Sequence, residues 1–210
     1  MPLVDIEISI GDSDLPVGVV EFLDEADRRV DRFLKTHSVQ PTGFVPCDPR
    51  AVYGALQVII ESNLAVGSKF CEWGSGFGVV ASLAVMLGFD VYGIEIDGDL
   101  VDASQRLSDD FALSGQFIHG SFVPAGAQHC VEAAYIDQGS EFVWVVTDAD
   151  DAYDQLGLEP DDFDVVFAYP WPGEDNVIAT LFEKCASVGA LLLTYGEFDS
   201  IHLRRKVSRG

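Results

Sequence analysis

Between Lys69 and Asp97 the chain reads KFCEWGSGFGVVASLAVMLGFDVYGIEID, and this stretch restricts the fold more than any other. A short apolar run, Lys69 to Trp73, has the length of a buried strand. Three glycines follow at alternate positions, Gly74, Gly76 and Gly78. The segment from Val79 to Leu87 reads as a packed helix and stops at Gly88, a residue suited to a helix C-cap. Asp90 to Ile94 then reads as a second strand, which delivers Glu95. Strand, glycine turn, helix, strand and acid make half of a nucleotide-binding βαβ unit. The glycines let the backbone turn tightly and approach a ligand closely. The helix start behind them offers unpaired N–H groups to polar or anionic ligand atoms. Glu95 follows Gly74 by about 20 residues, the place from which an acid reaches ribose hydroxyls.

The whole chain sets the outer limits. Its 210 residues, 48% of them hydrophobic, suit one domain with a sizeable core. No apolar run reaches the roughly 18 residues that a membrane span needs, so no membrane partner is expected. The first residues, MPLVDIEISIGDSD, lack a basic region followed by a continuous apolar run, so no signal peptide is expected. Cys47, Cys71, Cys130 and Cys185 are scattered without CxxC spacing, which argues against a zinc site and a disulfide framework. A reducing cytoplasm is the compartment that fits. The charge is extreme, 12 basic residues against 35 acidic for a formal net −23. Such a surface repels nucleic-acid phosphates and suits a cationic or neutral substrate, while also serving solubility. Arg204, Arg205, Lys206 and Arg209 cluster near the C-terminus and read as a solvated tail.

Along the chain, Leu3 to Ile10 alternates apolar residues as a strand does, and residues 18–36 follow a helical period. That helix carries Asp24, Arg28, Asp31 and Arg32 on a face read as solvated. Asp48 is placed to cap a helix with Pro49 in its first turn, running to about Asn63. After Glu95, a helix is expected over 98–112 and a third strand over 116–119. Residues 122–163 are long for a crossover, with a strand expected at Glu141 to Val146 and a hairpin turn near Asp137 to Ser140. Asp148, Asp150 and Glu159 sit at positions 1, 3 and 12 of a calcium loop, but Ala152 and Tyr153 stand where a ligand and a glycine are needed. No metal site is expected. Asp164 to Ala168 reads as a buried central strand, followed by Tyr169-Pro170-Trp171-Pro172-Gly173-Glu174. A helix over 175–186 and a strand over 189–195 come next. The sheet either stops there or closes with Ile201 to Val207.

Glu72-x-Gly74-x-Gly76-x-Gly78, with Glu95 closing the next strand, resembles the cofactor motif of class I S-adenosylmethionine-dependent methyltransferases. Dinucleotide sites favour GxGxxG, whereas Val79 occupies the third glycine's slot here. The resemblance implies an α/β fold, a doubly wound, mostly parallel Rossmann-like sheet with helices on both faces. It spans roughly residues 44–195, and the domain it implies covers residues 44–210, with an acidic insertion at about 122–163, after a strand-and-helix extension over residues 1–43. It implies that S-adenosylmethionine is held by Glu72, Gly74, Ser75, Gly76, Phe77 and Gly78, with Glu95 and Ile96 toward the ribose. Ser121 stands where the family often has an acid for the adenine, with Phe122 beside it. Phe44 to Pro49 falls where the family has a lid. Tyr169, Trp171 and Glu174 fall at the strand end that faces the transferable methyl group, and Tyr169 also borders the cofactor. Tyr169 and Trp171 would shape the acceptor pocket, and Glu174 would orient or deprotonate an amine. Amino-methylating members carry Asn/Asp-Pro-Pro-Tyr there, and Ala168-Tyr169-Pro170-Trp171 lacks its polar first residue. The implied activity is methyl transfer to a small molecule or protein side chain rather than to nucleic acid. The alternatives are a cofactor-binding or scaffold protein without chemistry, and a nicotinamide-dependent oxidoreductase.

Overall fold

The computed structural model describes residues 2–11, 14–36, 47–138, 145–147, 152–196 and 200–208. Seven strands form one sheet: β1 (Leu3–Ile6), β2 (Lys69–Trp73), β3 (Asp90–Glu95), β4 (Gln116–His119), β5 (Val165–Ala168), β6 (Leu191–Gly196) and β7 (Ser200–Lys206). Their order across the sheet is β1-β7-β6-β5-β2-β3-β4. β2, β3, β4, β5 and β6 are mutually parallel, and β7 runs antiparallel to both of its neighbours. β1 therefore points the same way as the parallel strands, and the expected N-terminal extension enters the same sheet through it.

The chain winds from β2 outward through β3 to β4, then returns to the other side of β2 with β5 and continues outward to β6. β2 and β5 are paired neighbours, with Trp73 opposite Ala168, and the direction of winding reverses between them. Open α/β sheets bind ligands in the crevice at such a point, beyond the carboxyl ends of the strands. The loops that leave β2 and β5 there are Gly74 to Gly78 and Tyr169 to Glu174.

Alternation along the strands builds two cores, as a pleated sheet requires. Phe70, Val165, Phe167, Leu191 and Leu193 face α2 (Pro49–Glu61) and α3 (Val79–Met86). Cys71, Val166, Ala168 and Leu192 face α5 (Gln128–Gln138), α6 (Ala152–Leu156) and α7 (Asp175–Cys185). A third cluster joins α1 (Val17–Thr36) to α3 and α4 (Gly98–Asp110) through Phe22, Leu23, Leu83 and Leu107. Within it Phe22 meets Phe111 edge-on at 5.1 Å, and Phe33 meets Phe77 at 5.6 Å.

The closing strand is present, so the sheet is complete on this side. Its basic residues are not a solvated tail: Arg204, Arg205 and Lys206 lie within β7, Lys206 is buried, and its ammonium donates to the Ala186 carbonyl. Arg205 donates to the Leu64 carbonyl at 2.7 Å. Long basic side chains can bury their stems and still reach a polar partner, which a count of charges does not register. Arg209 lies outside the described residues. β1 is shorter than the alternation suggests because its ladder with β7 ends at Ile6 opposite Leu203. Ile10 instead packs over Gly54 of α2, where an added Cβ would lie 2.6 Å from Ile10 Cγ2. Asp137 and Gln138 end a helix rather than turn a hairpin, since Val131, Ala134 and Tyr135 supply one apolar stripe at helical spacing. Of the strand expected over 141–146, residues 141–144 lie outside the described residues, and Val145 and Val146 are not in a strand.

Asp48 caps α2 as expected, with Oδ1 accepting from the Arg50 and Ala51 N–H groups at 2.9 and 3.4 Å. Asp48→Ala should lower stability by about 1 kcal/mol. Thermal denaturation should then show a midpoint lower by roughly 2–4 °C.

Candidate cofactor and substrate site

At the crevice between the carboxyl ends of β2 and β5 lies a cavity of about 1250 Å³. Gly74, Ser75, Gly76, Phe77, Glu72, Glu95 and Ile96 line one side of it, and Tyr169, Trp171 and Glu174 line another. Ser121 and Phe122 complete the set. Gly78 is the exception among the expected residues. It lies at the left-handed N-cap of α3 with φ +68°, and an added Cβ would sit 2.5 Å from the Phe117 ring and 2.7 Å from Ser104. Its small size serves the packing of the α3 start against β4 and α4, not the cavity. Gly74 is the reverse case. Its φ is +72°, and an added Cβ would meet nothing within 4 Å, so the loop's backbone faces open space.

Two buried carboxylates hold this loop. Gly74 and Ser75 both donate their N–H to the Ile94 carbonyl at 2.9 Å, which pins the loop over β3. Glu95 Oε2 accepts from the Gly76 N–H at 2.7 Å, and Oε1 accepts from Ile96 and Asp97 at 2.8 and 3.0 Å. The acid expected to reach a ribose is therefore first a clamp on two loops, with three of about four acceptor positions filled. Burial pushes its carboxyl pKa up against the lowering effect of those three bonds. Glu72 projects from β2 to the N-terminus of α3, where Oε2 accepts from the Ala81 N–H at 2.8 Å. Burial drives the Glu72 carboxyl well above the usual range, and the neighbouring Glu95 adds to the rise. Its other oxygen has no hydrogen-bond partner among the described residues. Ser75 Oγ is also buried without one.

The far side is apolar with one acid. Trp73 stacks on Phe122 at 5.4 Å with an interplanar angle of 8°. Tyr169 meets Tyr195 edge-on at 5.1 Å. Trp171 is half-buried on the cavity wall. Glu174 is 5% exposed, accepting from Tyr135 Oη at 2.8 Å and from the Trp171 N–H at 3.1 Å. Burial raises its carboxyl pKa, opposed by those two bonds. Ser121 is committed to local structure: its hydroxyl donates to the Val146 carbonyl at 2.7 Å and accepts from Val123 at 3.0 Å. It lines the cavity with its hydroxyl already engaged.

No protein-family model matches the chain, and no curated protein matches it. Solved structures do match. The chain is similar to an RNA methyltransferase from Salinibacter ruber in complex with S-adenosyl-L-homocysteine, with a TM-score of 0.52 and 13% identity over 80% of this chain and 96% of that one. It is similar as well to the S-adenosylhomocysteine-bound Podospora anserina methyltransferase PaMTH1, with a TM-score of 0.50 and 14% identity over 87% of this chain and 64% of that one. A structure described under the conversion of a disulfide bond into a thioacetal group during echinomycin biosynthesis matches with a TM-score of 0.44 and 14% identity over 67% of this chain, which spans 48% of that one. The chain has the class I methyltransferase fold.

Within that fold some cavity residues escape sequence reading. Asp27, Arg28 and Asp31 of α1 stand on the cavity, although the charges of that helix read as a solvated face. Trp73 reads as the end of a buried strand, and Tyr135, which holds the cavity's Glu174, lies in a stretch where no helix is expected from the sequence. Phe44 to Pro46 of the expected lid lie outside the described residues, while Cys47 and Pro49 line the cavity. Burial pushes the Cys47 thiol up to about 12, with the Glu72 charge adding to it, so this cysteine is no thiolate nucleophile at neutral pH.

The Glu72 carboxyl gives a signed pH dependence. A group whose pKa is raised by folding contributes stability below its unfolded value, about 4.3, and loses it as pH rises through the folded value. Glu72→Gln keeps an acceptor for Ala81 and removes the buried charge. Its unfolding midpoint should exceed the wild-type value at pH 8 and converge with it below about pH 4, as read by calorimetry. A constant difference across that range would mean that folding does not raise the Glu72 pKa.

Proposed function

We propose that this protein is an S-adenosylmethionine-dependent methyltransferase whose acceptor is not a nucleic acid. The observation that carries this reading is the carboxylate of Glu72 at the N-terminus of α3. A dinucleotide places its pyrophosphate at that helix terminus, on backbone N–H groups free to receive it. Here a buried acid already takes the Ala81 N–H, and Glu95 takes the Gly76 N–H. A phosphate would find these N–H groups taken and meet carboxyl oxygens instead. A ligand with an adenosyl group, an ammonium and a sulfonium, and no phosphate, avoids that conflict.

The remaining features fit such a ligand. Gly74 leaves open space beside the loop, and the orphaned Ser75 Oγ and Glu72 Oε1 lack partners that an amino acid moiety would supply. Glu95 keeps about one acceptor position for a ribose hydroxyl. The bound S-adenosylmethionine would supply a methyl group already activated on positively charged sulfur. The protein's own task is then to orient the acceptor and exclude water. The Trp73–Phe122 stack and the half-buried Trp171 provide apolar wall for this. Prolines at 170 and 172 restrict the backbone around Trp171, which favours a preset wall. The net charge of −23 opposes a nucleic-acid acceptor.

Thermal shift with S-adenosylhomocysteine, S-adenosylmethionine and NADH tests the reading. At about 100 times its Kd, a true ligand should add about 2.7 kcal/mol. Stabilisation by the two adenosyl ligands and none by NADH is expected, and the reverse would replace methyl transfer with redox chemistry. Ser75→Ala should weaken S-adenosylhomocysteine by about 0.5–1.5 kcal/mol in calorimetry. It should not lower stability, because the hydroxyl makes no hydrogen bond among the described residues. Unchanged affinity would remove Ser75 from the ligand's contacts.

A further inference from the structure

The cavity's size and lining suggest what the acceptor is. Pockets for one small ligand run to about 300–1,000 Å³, and this one, at about 1250 Å³, exceeds that range. A donor on the glycine side leaves room beside Glu174, Trp171 and the Trp73–Phe122 stack. Among the described lining residues the charges are one-sided: Asp27, Asp31, Glu72, Glu95, Asp97 and Glu174 stand against Arg28 alone. Of these acids Glu174 is the one set among aromatic side chains. Its two hydrogen bonds, from Tyr135 and from the Trp171 N–H, fill about half of a carboxylate's acceptor positions.

A buried carboxylate facing a cavity costs free energy unless a positive or donating group meets it. Tyr135 is neutral, and so is the backbone of Trp171. Aromatic faces attract cations and bury apolar surface, so the same walls accept the body of an organic amine and its charged end.

We propose that the recess lined by Glu174, Trp171, Trp73 and Phe122, with Tyr135 hydrogen-bonded to Glu174, is an acceptor subsite for a small cationic amine carried on an apolar or aromatic frame. The Glu174 carboxylate binds the ammonium, Tyr135 fixes the carboxylate's orientation, and the aromatic walls hold the frame. Asp27 and Asp31, at the α1 wall, favour the same charge at the mouth. This rests on the methyl-donor reading, since the donor occupies the other side of the cavity.

The test uses three matched probes, phenethylamine, 2-phenylethanol and 3-phenylpropionate, titrated calorimetrically into the whole protein with and without saturating S-adenosylhomocysteine. Phenethylamine should bind at least tenfold more tightly than either neutral or anionic analogue. Glu174→Gln should lose that preference by tenfold or more while its weak affinity for 2-phenylethanol stays within twofold. Tyr135→Phe, which keeps the charge, should retain the preference. Equal binding of the three probes to wild-type protein, or an amine preference that survives in Glu174→Gln, overturns the subsite. If Glu174→Gln does not fold, the wild-type ranking decides alone. Failure of S-adenosylhomocysteine to bind would sink the donor reading while the amine ranking, measured without it, still decides the subsite.

Discussion

Two buried carboxylates, one on each of two adjacent strands, hold the ligand edge of this protein in shape. Glu95 ties the glycine loop to the loop after β3 through three backbone N–H groups. Glu72 closes the start of α3, whose own N-cap is a glycine with no side chain to offer. Hydrogen bonds from backbone to a charged acceptor are stronger than neutral ones, and these lie where water does not compete. The arrangement is costly, because burial opposes the ionisation of both acids, with Glu95 opposing it further at Glu72 and Asp97 at Glu95. A fold that keeps such a pair gains a loop whose geometry is set before any ligand arrives.

Much of this was legible in the sequence, for reasons that can be named. β2, β3 and β4 have the expected limits, since each is a short apolar run bounded by glycine, by a charge or by a turn. Asp48 and Pro49 mark a helix start because capping is local chemistry that one or two residues decide. The glycine spacing located the cavity because positive φ has few residues that accept it. What failed to read was non-local. Gly78 looks like its neighbours in the motif, and only the Phe117 ring of another strand separates its role from theirs. The C-terminal arginines and lysine look solvated until β6 and β1 are placed on either side of them. Ser121 occupies an expected slot, but its hydroxyl answers to Val146, twenty-five positions away. α1 reaches the cavity through packing on α3 and α4 that no periodicity within α1 reveals.

The charge of the chain acquires a location once the cavity is drawn. An excess of acids spread over a surface serves solubility and needs no further account. Six of them around one enclosed space, several buried, act differently, because fields add and are poorly screened there. Such a space concentrates cations and turns away phosphates before any specific contact forms. On the proposed reading, selection by sign would precede selection by shape, at the point where the sheet's winding reverses.

The position of β1 bears on how the chain is made. Leu3 finds its partner in Lys206, and among the described residues β1 borders no strand but β7. β1 therefore stays unpaired during synthesis until β7, far along the chain, has been made. Until β7 emerges, β6 is itself an open edge, and its residues Leu191 to Gly196 are all buried in the finished protein. Exposed apolar edges of that kind recruit other chains. The interval between the appearance of β6 and the docking of β7 is thus the vulnerable moment in the assembly of this sheet, and it comes after the strands that carry the cavity have been made.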